Sequence, residues 1–381
     1  MSVPRLLRVS AVVLAVAAGG VLWSACGKPD PARQTVRFGL AAPLELYLGA
    51  HALRGAELAR DRINAGGGIR GHQLELHAVS DSADPQRAVQ VADSFFSDPS
   101  IVAVIGHVNS GATLAAAPIY GRGLVAVSPS ATSPEISRAG SWIFRVTSSD
   151  AANAAWLARF ALRELGQRAV VLYANEPYGR GLREGFARTY TAAGGTLLEE
   201  YPYIEGRTES FEPYLLGMRE TQPDVIFIAG LDMGAGRIIR QARALGVHAS
   251  ILGGDGLIGL IGQERVYDGT YVGLLYHPEA TTGVGEGFAA AYEQRYGEPP
   301  DHFAALAYDA VMLAGEAAAN AGLERQAIRD YLSTVGDSRP PFSGVTGRIA
   351  FDDNGDPVGK AYGVGRIRGN VIELVSFEGD T

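Results

Sequence analysis

Two segments in the first third of the chain each carry an apolar, strand-like run that stops abruptly at small hydroxyl residues. The first, 104–113, reads VIGHVNSGAT and leads into a helix-like stretch; the second, 125–134, reads VAVSPSATSP. A strand, a hydroxyl-rich turn and a helix start together direct backbone N–H groups and hydroxyls at an anion. Neighbouring strand ends are the usual ligand position in open α/β sheets. Because neither turn contains a nucleophile with its base, the pattern predicts a binding site for a small carboxylate-bearing molecule.

Strand-like and helix-like segments alternate along nearly the whole chain. Residues 36–41 have a strand pattern, and 50–64 repeat at helical spacing. A second series begins after residue 147, with a helix at 151–165 and a strand at 169–173. Two such series predict two doubly wound lobes with mostly parallel sheets. Several crossovers between the lobes would form a hinge, and hinged lobes close around ligands.

The C-terminal segment predicts two strands, 348–352 and 371–377, with residues 353–356 as a polar hairpin turn. The aspartates in this turn could be interpreted as calcium ligands, but their spacing does not match the EF-hand loop. The 7 histidines are scattered without metal-ligand spacing. The sequence therefore predicts neither a metal nor another cofactor.

The N-terminus predicts export. Arg5 and Arg8 precede an apolar run, 9–22, that is too short for a bilayer core needing about 20 residues. The run is followed by WSAC, which ends at Cys26, the chain's 1 cysteine. This segment resembles a bacterial lipobox, although Trp23 departs from the usual aliphatic residue. We expect a signal peptide at 1–25, a lipidated Cys26, a tether at 26–34, and a membrane-anchored protein on the periplasmic or extracellular face; the alternative is a cysteine buried in the core.

Composition and motifs exclude several function classes. A net charge of −8 and a pI near 5.5 give no electrostatic support for nucleic-acid binding. The remaining chain of about 350 residues exceeds one ordinary core and predicts two domains. No Gly-x-Ser-x-Gly elbow or His-Glu-x-x-His motif occurs. His107 lies three positions before Ser110 on a turn, which is a poor arrangement for a positioned base.

The ordered set of motifs resembles the periplasmic branched-chain amino acid binding proteins of ABC transporters, of the leucine/isoleucine/valine-binding type. Five stretches carry the resemblance: INAGGGIRG at 63–71, 81–89, 105–134, PYGRG at 177–181, and 236–256. It implies an α/β type I periplasmic binding protein fold, with two doubly wound Rossmann-like lobes joined by a multi-strand hinge. Lobe 1 would comprise 35–146 and 277–345, and lobe 2 would comprise 147–276 and 346–381.

The same resemblance implies roles for individual residues. Ser110 matches a serine that binds the ligand α-carboxylate, and Ser130 and Thr132 match a turn that grips the carboxylate and ammonium. Asp255 falls where the family often has a glutamate facing the ammonium. The residues that would cover the ligand or line its side-chain pocket are Tyr178, Phe303, Leu231 and Val108. Leu231 replaces a tyrosine of some relatives. The first loop looks shortened, which leaves open whether Tyr47 or Leu48 faces the ligand.

These inferences predict a non-enzymatic protein that captures a small amino acid, branched-chain or otherwise apolar, between two closing lobes. It would deliver this ligand to the permease subunits of an ABC transporter. Two alternatives stay open at this point: a ligand-sensing subunit of the same fold, and an exported hydrolase.

Overall fold

The first sheet is parallel and lies at the start of the described chain. The computed structural model describes residues 35–281 and 283–378; the predicted signal peptide, Cys26 and tether lie outside them. The strands of this sheet are β1 (Val36–Ala42), β2 (Leu74–Ser80), β3 (Ile101–Gly106), β4 (Ala126–Ser128) and β5 (Ile143–Arg145). Their order is β2-β1-β3-β4-β5, so the winding direction reverses between β1 and β3.

Three helices connect these strands: α1 (Tyr47–Ala65), α2 (Pro85–Ser97) and α3 (Ser110–Tyr120). The start of α2 follows from local chemistry, because Asp84 accepts a hydrogen bond from the Arg87 N–H at 2.8 Å and Pro85 takes the first helical position. A run of small residues starts α3 immediately after β3, which places the N-terminus of α3 at the carboxyl edge of the sheet.

The second sheet repeats this architecture. Its parallel strands are β6 (Arg168–Ala174), β7 (Thr196–Tyr203), β8 (Val225–Ala229), β9 (Ser250–Gly253) and β10 (Tyr271–Leu274). The associated helices are α4 (Asp150–Phe160), α5 (Pro177–Ala192), α6 (Glu212–Thr221) and α7 (Asp232–Ala244). The order β7-β6-β8-β9-β10 reverses between β6 and β8.

After β10 the chain returns to the first sheet. Helices α8 (Val284–Tyr296), α9 (His302–Ala321) and α10 (Arg325–Leu332) follow, then a short ribbon of β11 (Phe342–Gly344) and β12 (Gly347–Ile349). Helix α9 packs along α1 and contacts β3 and β4. A Cβ at Gly55 would lie 1.9 Å from the carbonyl oxygen of Ala304, so only glycine allows this close approach of the two helices.

The described part of the chain ends in a hairpin, β13 (Tyr362–Arg368) and β14 (Val371–Glu378), that completes the second sheet with antiparallel pairing of β13 to β10. This corrects the sequence prediction for this segment. The partner of the last strand is β13, whose Gly363 and Gly365 obscure its strand pattern.

Residues 353–356 do form a tight polar turn, closed by the antiparallel pairing of Phe351 with Pro357, but it does not join the two predicted strands. Asp356 of this turn also binds the fully buried Arg145 through two hydrogen bonds, both of 2.7 Å.

The two doubly wound sheets confirm the predicted fold class. The chain passes from the first sheet to the second after β5, returns after β10, and crosses again before β13. The lobe boundaries at 35–146 with 277–345 and at 147–276 with 346–381 stay a prediction. No helix of the described ranges combines the length and apolar character needed to cross a bilayer.

Candidate functional site

A cavity lies where residues that follow strands of both sheets meet. The space between its lining atoms, including space open to solvent, is about 320 Å³. The contributing positions follow the carboxyl ends of β1, β3, β4, β6, β8 and β9, as expected for doubly wound sheets. The residues that line the cavity are Leu48, Val108, Asn109, Ser110, Ser130, Glu176, Tyr178, Leu231, Asp255, Gly256 and Phe303.

The two hydroxyl-rich turns form one wall and are bonded to each other. Ser110 begins α3, and its Oγ accepts a hydrogen bond from the Ser133 N–H at 3.2 Å. Ser130 donates its hydroxyl proton to the carbonyl oxygen of Val108 at 3.0 Å. The N–H groups of the first helical turn have no intrahelical acceptor. This wall therefore offers hydroxyl and N–H donors without a formal positive charge.

Thr132 lies behind this wall. Its side chain is fully buried, its hydroxyl has no hydrogen-bond partner within the described residues, and it does not line the cavity. The Thr132 carbonyl accepts a hydrogen bond from the Asp150 N–H at 2.8 Å. Thr132 thus connects the second turn to the start of α4.

The second sheet contributes a buried carboxylate to the cavity. Asp255 is 3% exposed and follows β9 directly, and its Oδ1 accepts a hydrogen bond from the Tyr178 hydroxyl at 3.0 Å. The Gly256 N–H donates to the same hydroxyl oxygen at 3.1 Å. Burial raises the pKa of Asp255, while the nearby His302 and the Tyr178 hydrogen bond oppose that shift.

Glycine at position 254 allows Tyr178 to reach Asp255. A Cβ on Gly254 would lie 2.5 Å from the Tyr178 hydroxyl. The glycines on both sides of Asp255 therefore have a steric role, which a sequence alone does not distinguish from that of an ordinary turn.

A second buried carboxylate, Asp150, was missed by the sequence reasoning. It is fully buried at the start of α4, and neither of its carboxylate oxygens has a hydrogen-bond partner among the described residues. The Thr132 hydroxyl and the Asn153 side chain are close to it and favour its ionised form. Burial, followed by the charge of Asp255, raises the pKa of Asp150 well above its usual value. Its only sequence signal is a position after Ser149, which is also typical of an ordinary helix start.

The geometry around Ser110 does not support a hydrolase. His107 is fully buried, and its Nδ1 lies 2.6 Å from Asp81 Oδ2 while its Nε2 lies 3.0 Å from the Tyr120 hydroxyl. Both ring nitrogens are engaged away from the cavity, so His107 is not a base for Ser110. Within 35–281 and 283–378, no cluster of three or more His, Cys, Asp or Glu side chains could hold a metal ion.

A family model described as periplasmic binding protein matches residues 39–370. The chain belongs to the periplasmic binding protein family. It is 27% identical to Leu/Ile/Val-binding protein homolog 1 of Brucella suis, over 91% of each chain.

Two crystal structures of periplasmic binding proteins are similar over nearly their whole length. The first is the branched-chain amino acid transporter substrate-binding protein LivJ of Streptococcus pneumoniae in complex with isoleucine. It has a TM-score of 0.81 and 28% identity, with 90% of this chain and 99% of that chain covered. The second is an ABC transporter substrate-binding protein of Desulfitobacterium hafniense in complex with Leu, with a TM-score of 0.78 and 30% identity, covering 90% and 100%. The resemblance stated from the sequence motifs is confirmed.

Within this periplasmic binding protein, the structure brings most of the sequence-predicted site residues to one cavity. Those that line it are Val108, Ser110, Ser130, Tyr178, Leu231, Asp255 and Phe303; Thr132 does not. Of the two residues left open, Leu48 lines the cavity, whereas the Tyr47 ring stacks on His51 at 4.1 Å between centroids. The ligand-binding roles of these residues stay a prediction.

Two further polar residues of the cavity, Asn109 and Glu176, were also missed. Both occupy the position immediately before a helix, where a polar residue is easily interpreted as a cap. Glutamate is not a preferred residue there, which is the signal that could have drawn attention to Glu176.

Proposed function

We propose that this protein captures an α-amino acid with an apolar, branched-chain side chain and presents it to the permease of an ABC transporter. The observation that carries the proposal is the polarity of the cavity. The Ser110 hydroxyl, beside Ser130, is a donor on the wall from the first sheet, and the buried carboxylate of Asp255 comes from the second sheet. An α-amino acid carries the complementary pair of charges, and structural neighbours at 28% and 30% identity hold isoleucine and leucine.

The carboxylate end of the ligand would bind at Ser110 and Ser130. Neutral hydroxyl and N–H donors at a helix N-terminus bind a carboxylate without placing a full cation in the cleft. Because a closed cleft excludes water, these hydrogen bonds would be stronger there than in solvent.

The ammonium end would bind at Asp255. Burial disfavours the ionised form of this carboxylate, and an ammonium group would supply the missing countercharge and donors. Tyr178 orients the carboxylate through its 3.0 Å hydrogen bond and covers the ligand from the second sheet.

The side chain of the ligand would face Leu48, Val108, Leu231 and Phe303. These four residues give the cavity an apolar wall, which favours leucine-like ligands over acidic ones. Leu231, in place of the tyrosine of some relatives, leaves this wall without a phenolic hydroxyl.

Calorimetry with leucine and its keto acid tests the proposal. A charge-assisted hydrogen bond contributes roughly 1.5–3 kcal/mol, so Asp255→Asn should weaken leucine binding by about ten- to a hundredfold. The keto acid lacks the ammonium and should be almost unaffected. Asp353→Asn, at an exposed loop position, is the matched control and should change the affinity for neither ligand.

Two outcomes would contradict the proposal. One is equal losses for leucine and the keto acid in Asp255→Asn, and the other is no binding of any amino acid by the unmodified protein. Mass spectrometry of leucine recovered after incubation should show an unchanged ligand. A product that disappears in Ser110→Ala would instead support a hydrolase.

Membrane tethering through Cys26 is part of the same proposal. It rests on the position of the cysteine between an apolar run and a polar tether in the sequence. Cys26→Ser should move the protein from the membrane fraction to the soluble fraction. Recovery of unmodified protein in the soluble fraction, without lipid, would refute the anchor but leave the binding function untouched.

A further inference from the structure

The cavity wall is not wholly apolar, because Asn109 and Glu176 line it beside Val108 and Leu231. Each precedes a helix, α3 and α5 respectively, and neither side chain caps its own helix. The Oδ1 atom of Asn109 is buried without a hydrogen-bond partner in the described ranges. The Glu176 carboxylate likewise makes no hydrogen bond to any other described residue, so both side chains retain polar atoms for a ligand.

The position of Glu176 is constrained from both sheets. It follows β6, yet its Oε2 lies 4.0 Å from where a Cβ on Gly111 would be, at the start of α3. Pro177 lies 3.8 Å from the same point. The carboxylate of Glu176 therefore lies close to the start of α3, at a distance where an added Cβ would make ordinary van der Waals contact.

Glu176 lines the same cavity as Leu231 and Asp255 and lies next to the start of α3. Its carboxylate neighbour is Glu205, which accepts hydrogen bonds from the Leu231 N–H at 3.1 Å and from the Gly234 N–H at 2.7 Å. The groups that act on Asp255 are instead Tyr178 and His302. The cavity therefore has a second acidic position, which follows β6, besides Asp255, which follows β9.

We infer that Glu176, together with Asn109, recognises a hydrogen-bond donor on the side chain of the ligand. This inference rests on the proposed function, because it takes the α-carboxylate and α-ammonium as bound at Ser110 and Asp255. It extends the ligand class from branched-chain amino acids to hydroxyl- and amide-bearing amino acids of the same shape. Acidic side chains are rejected, because they would bring a second carboxylate against Glu176.

Isosteric pairs of amino acids isolate this interaction. Threonine has the shape of valine with a hydroxyl in place of one methyl, and asparagine has the shape of leucine with an amide in place of two methyls. Calorimetry would measure the affinity ratios threonine/valine and asparagine/leucine. Glu176→Met, which keeps the chain length without an acceptor oxygen, should lower both ratios by about tenfold.

Two further variants separate recognition from structure. Glu176→Gln keeps an acceptor oxygen. Its two affinity ratios should therefore lie between those of the unmodified protein and those of Glu176→Met. Glu184→Met, on the exposed face of the same helix, is the matched control and should leave both ratios unchanged. Asn109→Ala should lower the same ratios, and it keeps the inference testable should Glu176→Met fold poorly.

Three results would overturn the inference. Ratios that do not move in Glu176→Met would exclude a role in side-chain recognition. An equal change for all four amino acids would mean that Glu176 acts on the α-carboxylate at the start of α3. Absence of binding by every amino acid in the unmodified protein would refute the proposed function itself, and the inference with it.

Discussion

Two buried aspartates show how differently this chain treats a carboxylate inside and outside its cavity. Asp309, in α9, is fully buried and accepts hydrogen bonds from the Val345 N–H at 2.8 Å and from the Thr346 N–H at 2.9 Å. The Thr346 hydroxyl donates at 2.5 Å, and the charge of Lys360 is nearby. Asp255 is nearly as buried and accepts a hydrogen bond from Tyr178.

The difference teaches where a ligand is expected. A buried carboxylate costs free energy unless donors or a cation surround it, so structural carboxylates are supplied with partners by the chain. Asp255 lines the cavity and accepts one side-chain hydrogen bond, from Tyr178, and both oxygens of Asp150 lack a partner within the described residues. A cationic group from outside the chain would complete them, as an amino-acid ammonium does in the proposed function.

The largest effect on stability should come from Asp309, the carboxylate whose hydrogen bonds are supplied by the chain itself. Asp309→Ala leaves the Val345 and Thr346 N–H groups unpaired and removes the countercharge of Lys360. We expect a loss of about 3 kcal/mol in the free energy of unfolding, measured by guanidinium denaturation. Leucine affinity should not change. Asp353→Ala is the control, and weaker leucine binding without a loss of stability would place Asp309 among the cavity carboxylates.

Gly254→Ala should break the hydrogen bond from Tyr178 to Asp255 while leaving both of these residues in place. The new Cβ would lie 2.5 Å from the Tyr178 hydroxyl and would displace it from Asp255. Leucine affinity should fall by about tenfold in calorimetry. Gly287, which has no atom within 4 Å of a Cβ, supplies the control variant Gly287→Ala. Full affinity in Gly254→Ala would show that Tyr178 does not orient Asp255 for the ligand.

Asp150→Asn should raise the free energy of unfolding, whereas Asp309→Ala should lower it. The side chain is fully buried, its oxygens have no hydrogen-bond partner in the described chain, and burial raises its pKa. A neutral amide removes the cost of ionising it, so the ligand-free protein should gain about 1 kcal/mol at neutral pH. Denaturation at pH 7 measures this. A loss of stability would mean that Asp150 is a structural carboxylate like Asp309.

The smallest expected effect is a pH dependence of ligand preference. Burial and the charge of Glu205 raise the pKa of Glu176 to about 7, and Arg180 opposes the shift. Ionisation therefore increases from pH 6 to pH 8, and the ionised carboxylate is the better acceptor. The threonine/valine affinity ratio should rise by about threefold over this range. In Glu176→Gln the ratio should be flat, and a slope that persists there would assign the titration to another group.

Much of this site follows from local sequence. Ser110 and Ser130 are found because a strand, a turn and a helix start are encoded by consecutive residues. Asp255 is found through its flanking glycines and the family resemblance. Most strand and helix positions follow from apolar periodicity, with errors where glycines interrupt it, as in β13.

What the sequence alone determined is therefore the alternation of strands and helices, the two hydroxyl-rich turns and the family. Only the tertiary structure decided which polar side chains have partners. Asp356, expected in a turn, binds Arg145 at a separation of 211 residues, and Val345 and Thr346 satisfy Asp309 from 36 and 37 residues away. Asp150 and Glu176 have the local pattern of ordinary helix starts, yet they lie buried or beside a cavity without such partners. Burial and hydrogen bonding depend on segments that are distant along the chain, and these two quantities decide whether a carboxylate stabilises the fold or is available to a ligand.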